Sequence, residues 1–207
     1  MEDLTAAWEQ LIRRHTTDAA ATNTGRAVLE SWAEPHRRYH SMGHLRDVLS
    51  RVEQLADFAS DPDAVRLAAW YHDVVYQGRS DDEELSAQRA EDDLAALGIE
   101  PTLVAEVGRL VRLTVTHRPV SGDRNGQALS DADLGVLGIE PQRYRENTAA
   151  VRAEYAHVPD DEFRASRARV IGDLLASPLF YTPLARSQWE SQARANLTDE
   201  LAGLTED

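Results

Sequence analysis

The segment Ala68-Ala69-Trp70-Tyr71-His72-Asp73-Val74-Val75-Tyr76 limits the fold of this chain more than any other. It reads as a nearly apolar helical run that has to be buried, yet an imidazole and an acid sit in its interior. An ionised carboxylate taken out of water without a partner costs several kcal/mol. A buried Asp73 therefore calls for a cation, a salt bridge or a proton, and a metal ion is the sharpest of these. Neighbouring residues on a helix diverge by about 100°, so an ion shared by His72 and Asp73 has to lie where other helices cross and supply further ligands.

Candidates for those ligands lie on both sides of the pair. His40 and His44 stand at i, i+4, a spacing that can chelate one ion, and Asp131 and Asp133 lie much further along. The two acids diverge by about 200° on a helix, so one is expected to bind metal while the other caps a helix or orients a ligand. The chain has no cysteine, which excludes disulfides and thiolate ligands and leaves only nitrogen and oxygen donors.

Apolar residues recur with a helical period almost throughout, and prolines and caps punctuate them. Leu4, Ala7, Trp8, Leu11 and Ile12 form one stripe, and Val28, Leu29 and Trp32 a second that stops near Pro35. Ser41 is expected to cap a helix with His44 in its first turn. Asp61-Pro62 reads as the cap and first residue of the helix carrying His72 and Asp73. Further helices are expected at about 82–97, 101–117, 131–137, 142–156, 160–175 and 182–203, with a long loop at 118–127. Gly98-Ile99-Glu100-Pro101 and Gly138-Ile139-Glu140-Pro141 repeat one stop-and-restart signal.

With 36 acidic and 22 basic residues the net charge is −14, which disfavours a nucleic-acid polymer as partner. A small phosphorylated molecule stays open, because a cation and a few arginines such as Arg152, Arg167 and Arg194 can offset charge locally. Glu154 and Glu190 are the expected partners of those arginines. The start of the chain lacks the basic and apolar regions of a secretory signal, and no apolar run reaches membrane-spanning length. The expectation is a cytoplasmic protein without a membrane partner, and a homo-oligomer stays open.

The ordered set of a His, then His-Asp, then a distant Asp resembles the HD-domain metal-dependent phosphohydrolases. The likeness extends to Tyr39-His40 with His44-Leu45, Tyr71 to Tyr76, Glu83 to Ala87, Asp131 to Leu134 with Leu137-Gly138, Arg152 with Glu154-Tyr155, and Glu190 with Ala193-Arg194 and Asn196-Leu197. These stretches look like one bacterial branch known only as predicted HD-superfamily hydrolases. The resemblance implies an all-α, HD-domain-like orthogonal helical bundle. It implies a single domain over 1–207, with a metal-binding core at about 25–140 and the helices of 141–207 packed on it.

It further implies a divalent transition metal, Mn, Co, Ni, Fe or Zn, held by His44, His72, Asp73 and Asp133. His40 rivals His44, and Asp131 rivals Asp133. Asp73 and Glu83 are the expected catalytic acids, and His40, His117 and Asp131 are expected to touch substrate or orient a ligand. Some relatives carry a catalytic Glu three residues after the Asp; Tyr76 stands there, so that mechanism does not transfer. The implied reaction is hydrolysis of a phosphate ester or anhydride of a small, nucleotide-like molecule. Three other readings compete: a closed tetrahedral zinc site that only holds the bundle together, a two-metal HD oxygenase, and a non-catalytic nucleotide sensor.

Overall fold

A computed structural model describes residues 2–205, so Met1, Glu206 and Asp207 of the expected 1–207 domain lie outside the described residues. Among those residues the chain is all-α, with eleven helices and no strand. They are α1 (Glu2–Ile12), α2 (Ala20–Trp32), α3 (Met42–Leu55), α4 (Pro62–Tyr71), α5 (Asp82–Ala96), α6 (Pro101–Leu113), α7 (Arg124–Leu134), α8 (Pro141–Glu154), α9 (Asp160–Leu175), α10 (Pro183–Gln188) and α11 (Glu190–Thr205), with a 3-10 turn at Gly135–Gly138 after α7. Their starts follow from local chemistry. Ser41 accepts from the backbone N–H of Gly43, and Asp61 accepts from that of Ala64. Proline opens α4, α6, α8 and α10, where its missing N–H costs nothing.

Helices α1 to α7 close around one apolar core that includes Trp8, Trp32, Trp70, Leu45, Leu110 and Leu129. Each such side chain contributes about 1.5–3 kcal/mol when fully buried. The indoles also satisfy backbone carbonyls there: Trp8 donates to Ala21 O at 2.9 Å and Trp32 to Trp70 O at 3.0 Å. A second, smaller core holds Leu137, Tyr144, Ile171, Phe180 and Leu197 from the 3-10 turn and α8 to α11. Trp189, in the kink between α10 and α11, packs against both. Asn196 on α11 donates to the carbonyls of Leu137 and Ile139 at 2.8 and 2.9 Å and so fastens the second core to the end of α7.

Four boundaries differ from the sequence reading. Helix α6 ends at Leu113 and not at about His117, since His117 has a left-handed φ of +50° that no helix continues through. Helix α4 stops at Tyr71, with His72 as its C-cap and Asp73 in the turn beyond. The fully buried guanidinium of Arg37 causes this, donating to the carbonyls of Asp73 and Val74 at 2.7 and 3.0 Å. Helix α7 starts at Arg124, inside the expected loop, because Asp123 caps it by accepting from Gly126 N. The expected single helix at 182–203 is two, broken at Trp189.

The two Gly-Ile-Glu-Pro repeats start helices alike, since Glu100 accepts from Thr102 N and Glu140 from Gln142 N and Arg143 N. Their glycines serve different ends. Gly98 sits at φ +67° with open space around it, a left-handed stop that glycine adopts without strain. At Gly138 a Cβ would lie 2.7 Å from Trp189 Cβ and 2.8 Å from its carbonyl oxygen. Gly138→Ala is therefore expected to overpack the joint between the two cores and cost about 1–3 kcal/mol. Gly98→Ala should cost about 1–2 kcal/mol through backbone strain alone. Urea denaturation of the two variants checks this, and a neutral Gly138→Ala would show that the joint yields.

Candidate metal centre

Four donors from three regions of the chain meet at the head of a cavity. His44 lies in the first turn of α3, His72 and Asp73 follow α4, and Asp133 lies in the last turn of α7. His44 Nε2 stands 3.1 Å from His72 Nε2 and 3.2 Å from Asp133 Oδ1. His72 Nε2 is 3.6 Å from that oxygen and 3.2 Å from Asp73 Oδ2, and Asp73 Oδ2 is 3.7 Å from His44 Nε2. His44, His72 and Asp133 each offer one ligand atom within 4.8 Å of the others. Bonds of about 2.1 Å to a shared ion put neighbouring donors about 3.0 Å apart in an octahedron and about 3.4 Å apart in a tetrahedron. The observed separations fall in and around that span, so this His/Asp group can hold a metal ion.

Helix α4 ends one residue before His72, and that frees the pair from the 100° divergence of a helix. Asp73 Oδ2 consequently comes close to both imidazoles, although the tight group of ligand atoms consists of His44, His72 and Asp133. The ring of His72 is fixed by its Nδ1, which donates to Ala69 O at 2.9 Å and leaves Nε2 for the centre. Such a bond to the far nitrogen is the usual way a ligating imidazole is oriented. Trp32 packs 5.3 Å from the His72 ring and Tyr39 4.9 Å from the His44 ring, closing the centre on its buried side.

The electrostatics are those of a crowded site in which both imidazoles are buried and both carboxylates border the cavity. Burial works against a charged His72, but Asp73 and Asp133 outweigh it and raise its pKa to about 9. Burial also prevails at His44, whose pKa is lowered. Of the two rings, protonation is therefore favoured at His72 and disfavoured at His44. Burial would raise both acids, yet His72 beside Asp73, and His72, His117 and His44 around Asp133, hold them below the usual carboxylate range.

Asp131 and Asp133 part company as their helical spacing requires. Asp133 faces the centre, and His117 Nε2 binds its other oxygen, Oδ2, at 2.7 Å. Asp131 is fully buried on the opposite side, where it accepts from the N–H of Thr182 at 2.7 Å and of Tyr181 at 2.9 Å, ahead of α10. Burial pushes its carboxyl up to about 6. His117 ends four residues beyond α6 at φ +50°, a left-handed conformation rare for a side-chain-bearing residue, with its carbonyl accepting from Tyr181 OH at 3.0 Å. Strain of this kind persists where surroundings enforce it.

The cavity below the centre measures about 830 Å³ and lies between the first core and helices α8 and α9. His40, Asp73, Glu83, His117 and Asp133 all line it. Glu83, in the first turn of α5, has its pKa raised by burial and then by Asp73 and Asp82. His40 stays apart from the metal group, because its Nδ1 meets Glu154 Oε2 at 2.7 Å. Arg167 pairs with Glu200 and Arg194 with Glu190, whereas Arg152 pairs with Asp160 and not with Glu154. Arg37 and Glu154 are the site residues that pattern reading missed as such. Arg37 pairs with Glu34 three residues earlier at 3.1 Å, so in the sequence it reads as an ordinary helical ion pair, and Glu154 stood out only within the stretch Arg152 with Glu154-Tyr155.

No protein-family model matches the chain, and no curated protein or solved structure is significantly similar to it. The likeness to HD proteins thus rests on the residues themselves.

Two outcomes test the centre. Asp133→Asn should weaken metal binding by orders of magnitude with little loss of fold. Asp131→Asn should keep the metal and lose about 1–3 kcal/mol, because a buried cap of two N–H groups is disrupted. Elemental analysis and thermal melts read both, and a metal-free Asp131→Asn would exchange their roles. In the ion-free protein the protonation of His72 contributes stability that is complete below its unfolded value near 6.5 and lost as pH rises through about 9. An ion must displace that proton, so its affinity should rise with pH across this window, with about one proton released per ion. Calorimetry in buffers of different ionisation enthalpy counts the proton, and a pH-independent affinity would exclude His72 as a donor.

Proposed function

We propose that this chain is a metal-dependent phosphohydrolase of the HD type, acting on a small phosphorylated and nucleotide-like molecule. The observation that carries the reading is the set of two imidazoles and two carboxylates converging at the head of a cavity large enough for such a substrate. Cavities of about 300–1,000 Å³ are typical of small-molecule sites. The donor set, nitrogen and oxygen only, suits a divalent transition ion such as Mn²⁺, Co²⁺, Ni²⁺ or Fe²⁺ with open positions, and Zn²⁺ equally by softness. When bound there, such an ion supplies Lewis acidity toward water and toward a phosphoryl oxygen.

The protein's own groups divide the remaining work. Asp73 and Asp133, held ionised, neutralise and orient; His117 fixes Asp133 through its second oxygen. Glu83 lines the same cavity with a raised pKa, which suits a group that must both take and return a proton. In the step, the attacking water loses a proton to Glu83 as its oxygen bonds phosphorus. The ester P–O bond breaks, and the leaving oxygen recovers that proton. Tyr39, Tyr76, Tyr144, Tyr155 and Phe163 give the cavity a largely aromatic wall for the organic part of the substrate.

Metal-reconstituted protein tested on a panel of nucleotides and phosphate esters, with phosphate release as readout, decides the matter. Turnover should require the ion, and Glu83→Gln should lower kcat by about 10²–10⁴-fold with metal content unchanged. Metal binding without turnover of any ester would leave a nucleotide sensor or a structural ion, and two ions per chain would favour oxidative chemistry instead.

A further inference from the structure

A second carboxylate–imidazole pair stands on the cavity wall, outside the metal group. Glu154, the last residue of α8, reaches back to the segment that precedes α3. Its Oε1 accepts from the N–H groups of Arg38, Tyr39 and His40 at 2.7, 2.8 and 3.0 Å. Its Oε2 accepts from Tyr76 OH at 3.1 Å and meets His40 Nδ1 at 2.7 Å. The carboxylate side chain is only 3% exposed. Burial alone would raise its pKa, but His40 and the backbone donors hold it down at about 2. An ionised carboxylate only accepts, so the bond assigns a proton to His40 Nδ1.

That leaves the other nitrogen of the ring. The imidazole is stacked on Tyr76, centroids 4.0 Å apart and 26° between planes, which blocks its rotation. Its Nε2 makes no hydrogen bond among the described residues, and the ring borders the cavity beside Tyr39, His44 and Tyr76. Anchoring the 38–40 turn would need only the three N–H bonds. The imidazole adds a fixed, open nitrogen to a cavity lined by Asp73, Glu83, Asp133 and Asp173, where Arg167 is engaged by Glu200 and His117 by Asp133 and Arg118 is the other cation on the wall. An anionic substrate needs local donors there. A carboxylate behind one nitrogen of the ring favours a proton on the other when an anion binds there, which makes a charge-assisted donor of the kind that binds phosphate strongly.

We propose that Glu154 is a positioning residue that turns His40 Nε2 toward the cavity, where it donates to a phosphoryl oxygen of the substrate. This assignment rests on the phosphohydrolase reading and adds a residue pair that joins α8 to substrate binding. His40→Asn tests it, because the amide nitrogen can replace Nδ1 opposite Glu154 while nothing replaces Nε2.

In the metal-loaded protein, inorganic phosphate should bind His40→Asn about 10- to 100-fold more weakly than wild type. KM for a phosphate ester should rise further than kcat falls, with metal content and melting temperature near wild type. Glu154→Gln should shift phosphate affinity in the same direction. In wild type, ¹⁵N NMR should show His40 protonated at Nδ1, and phosphate should move its Nε2 resonance. An unmoved Nε2 resonance overturns the proposal without recourse to any variant, and unchanged phosphate affinity in His40→Asn does so as well. Loss of a second metal ion in that variant would also overturn it, by assigning Nε2 to an ion. Wild-type protein that binds no phosphate and hydrolyses no ester would remove the phosphohydrolase reading and this pair's role together.

Discussion

Two imidazoles lie 3.1 Å apart with the carboxylates of Asp73 and Asp133 each within 3.7 Å of both, and their mutual charge is the constraint from which the rest of the architecture follows. Burial penalises every ionised member, yet the low pKa of both acids and the raised pKa of His72 show attraction winning over desolvation inside the cluster. Two acids held ionised face a His72 that favours its proton and a His44 that disfavours one. The set still carries net negative charge, which is the condition a divalent cation relieves.

Holding such a cluster requires rigid walls. Trp32 supplies one, with its indole bonded to the last residue but one of α4 and its ring against His72. Arg37 supplies another, binding the carbonyls that α4 gives up by ending at Tyr71 and also that of His40 at 3.1 Å. One guanidinium thereby ties together the two segments that deliver His44 and the His72-Asp73 pair.

The C-terminal helices complete the cavity and are bound to the centre by polar links of unusual sequence separation. Asp131 on α7 holds the start of α10, Asn196 on α11 holds the 3-10 turn, and Glu154 on α8 holds the turn ahead of α3. Each is a buried or half-buried group making two or more bonds to backbone. Such fully satisfied contacts fix orientation more than they add stability, since a typical net hydrogen bond is worth about 0.5–1.5 kcal/mol while its loss in the interior costs more. They are what relates the second core to the metal centre.

Helix existence, helix type and most helix starts were legible in the sequence, because 3.6-residue periodicity, Pro at the first turn and Ser or Asp caps act over fewer than five residues. The His-Asp pair likewise pointed to a converging site, since no apolar interior accepts an unpaired acid, although only His72 of the two is fully buried and Asp73 turns to the cavity wall. Where helices stop was less legible: α4 ends at Tyr71 because of Arg37, which is 36 residues from Asp73, and α10 ends at a kink governed by Trp189. The divergence of Asp131 and Asp133 followed from helical geometry, but which acid faced His44 depended on how α7 is rotated against α3 and α4. The partner of Glu154 lay 114 residues away, beyond any local signal. Local chemistry thus determined the helices and marked His72 and Asp73 as residues able to share a metal ion, whereas packing between distant helices decided which side chains meet there.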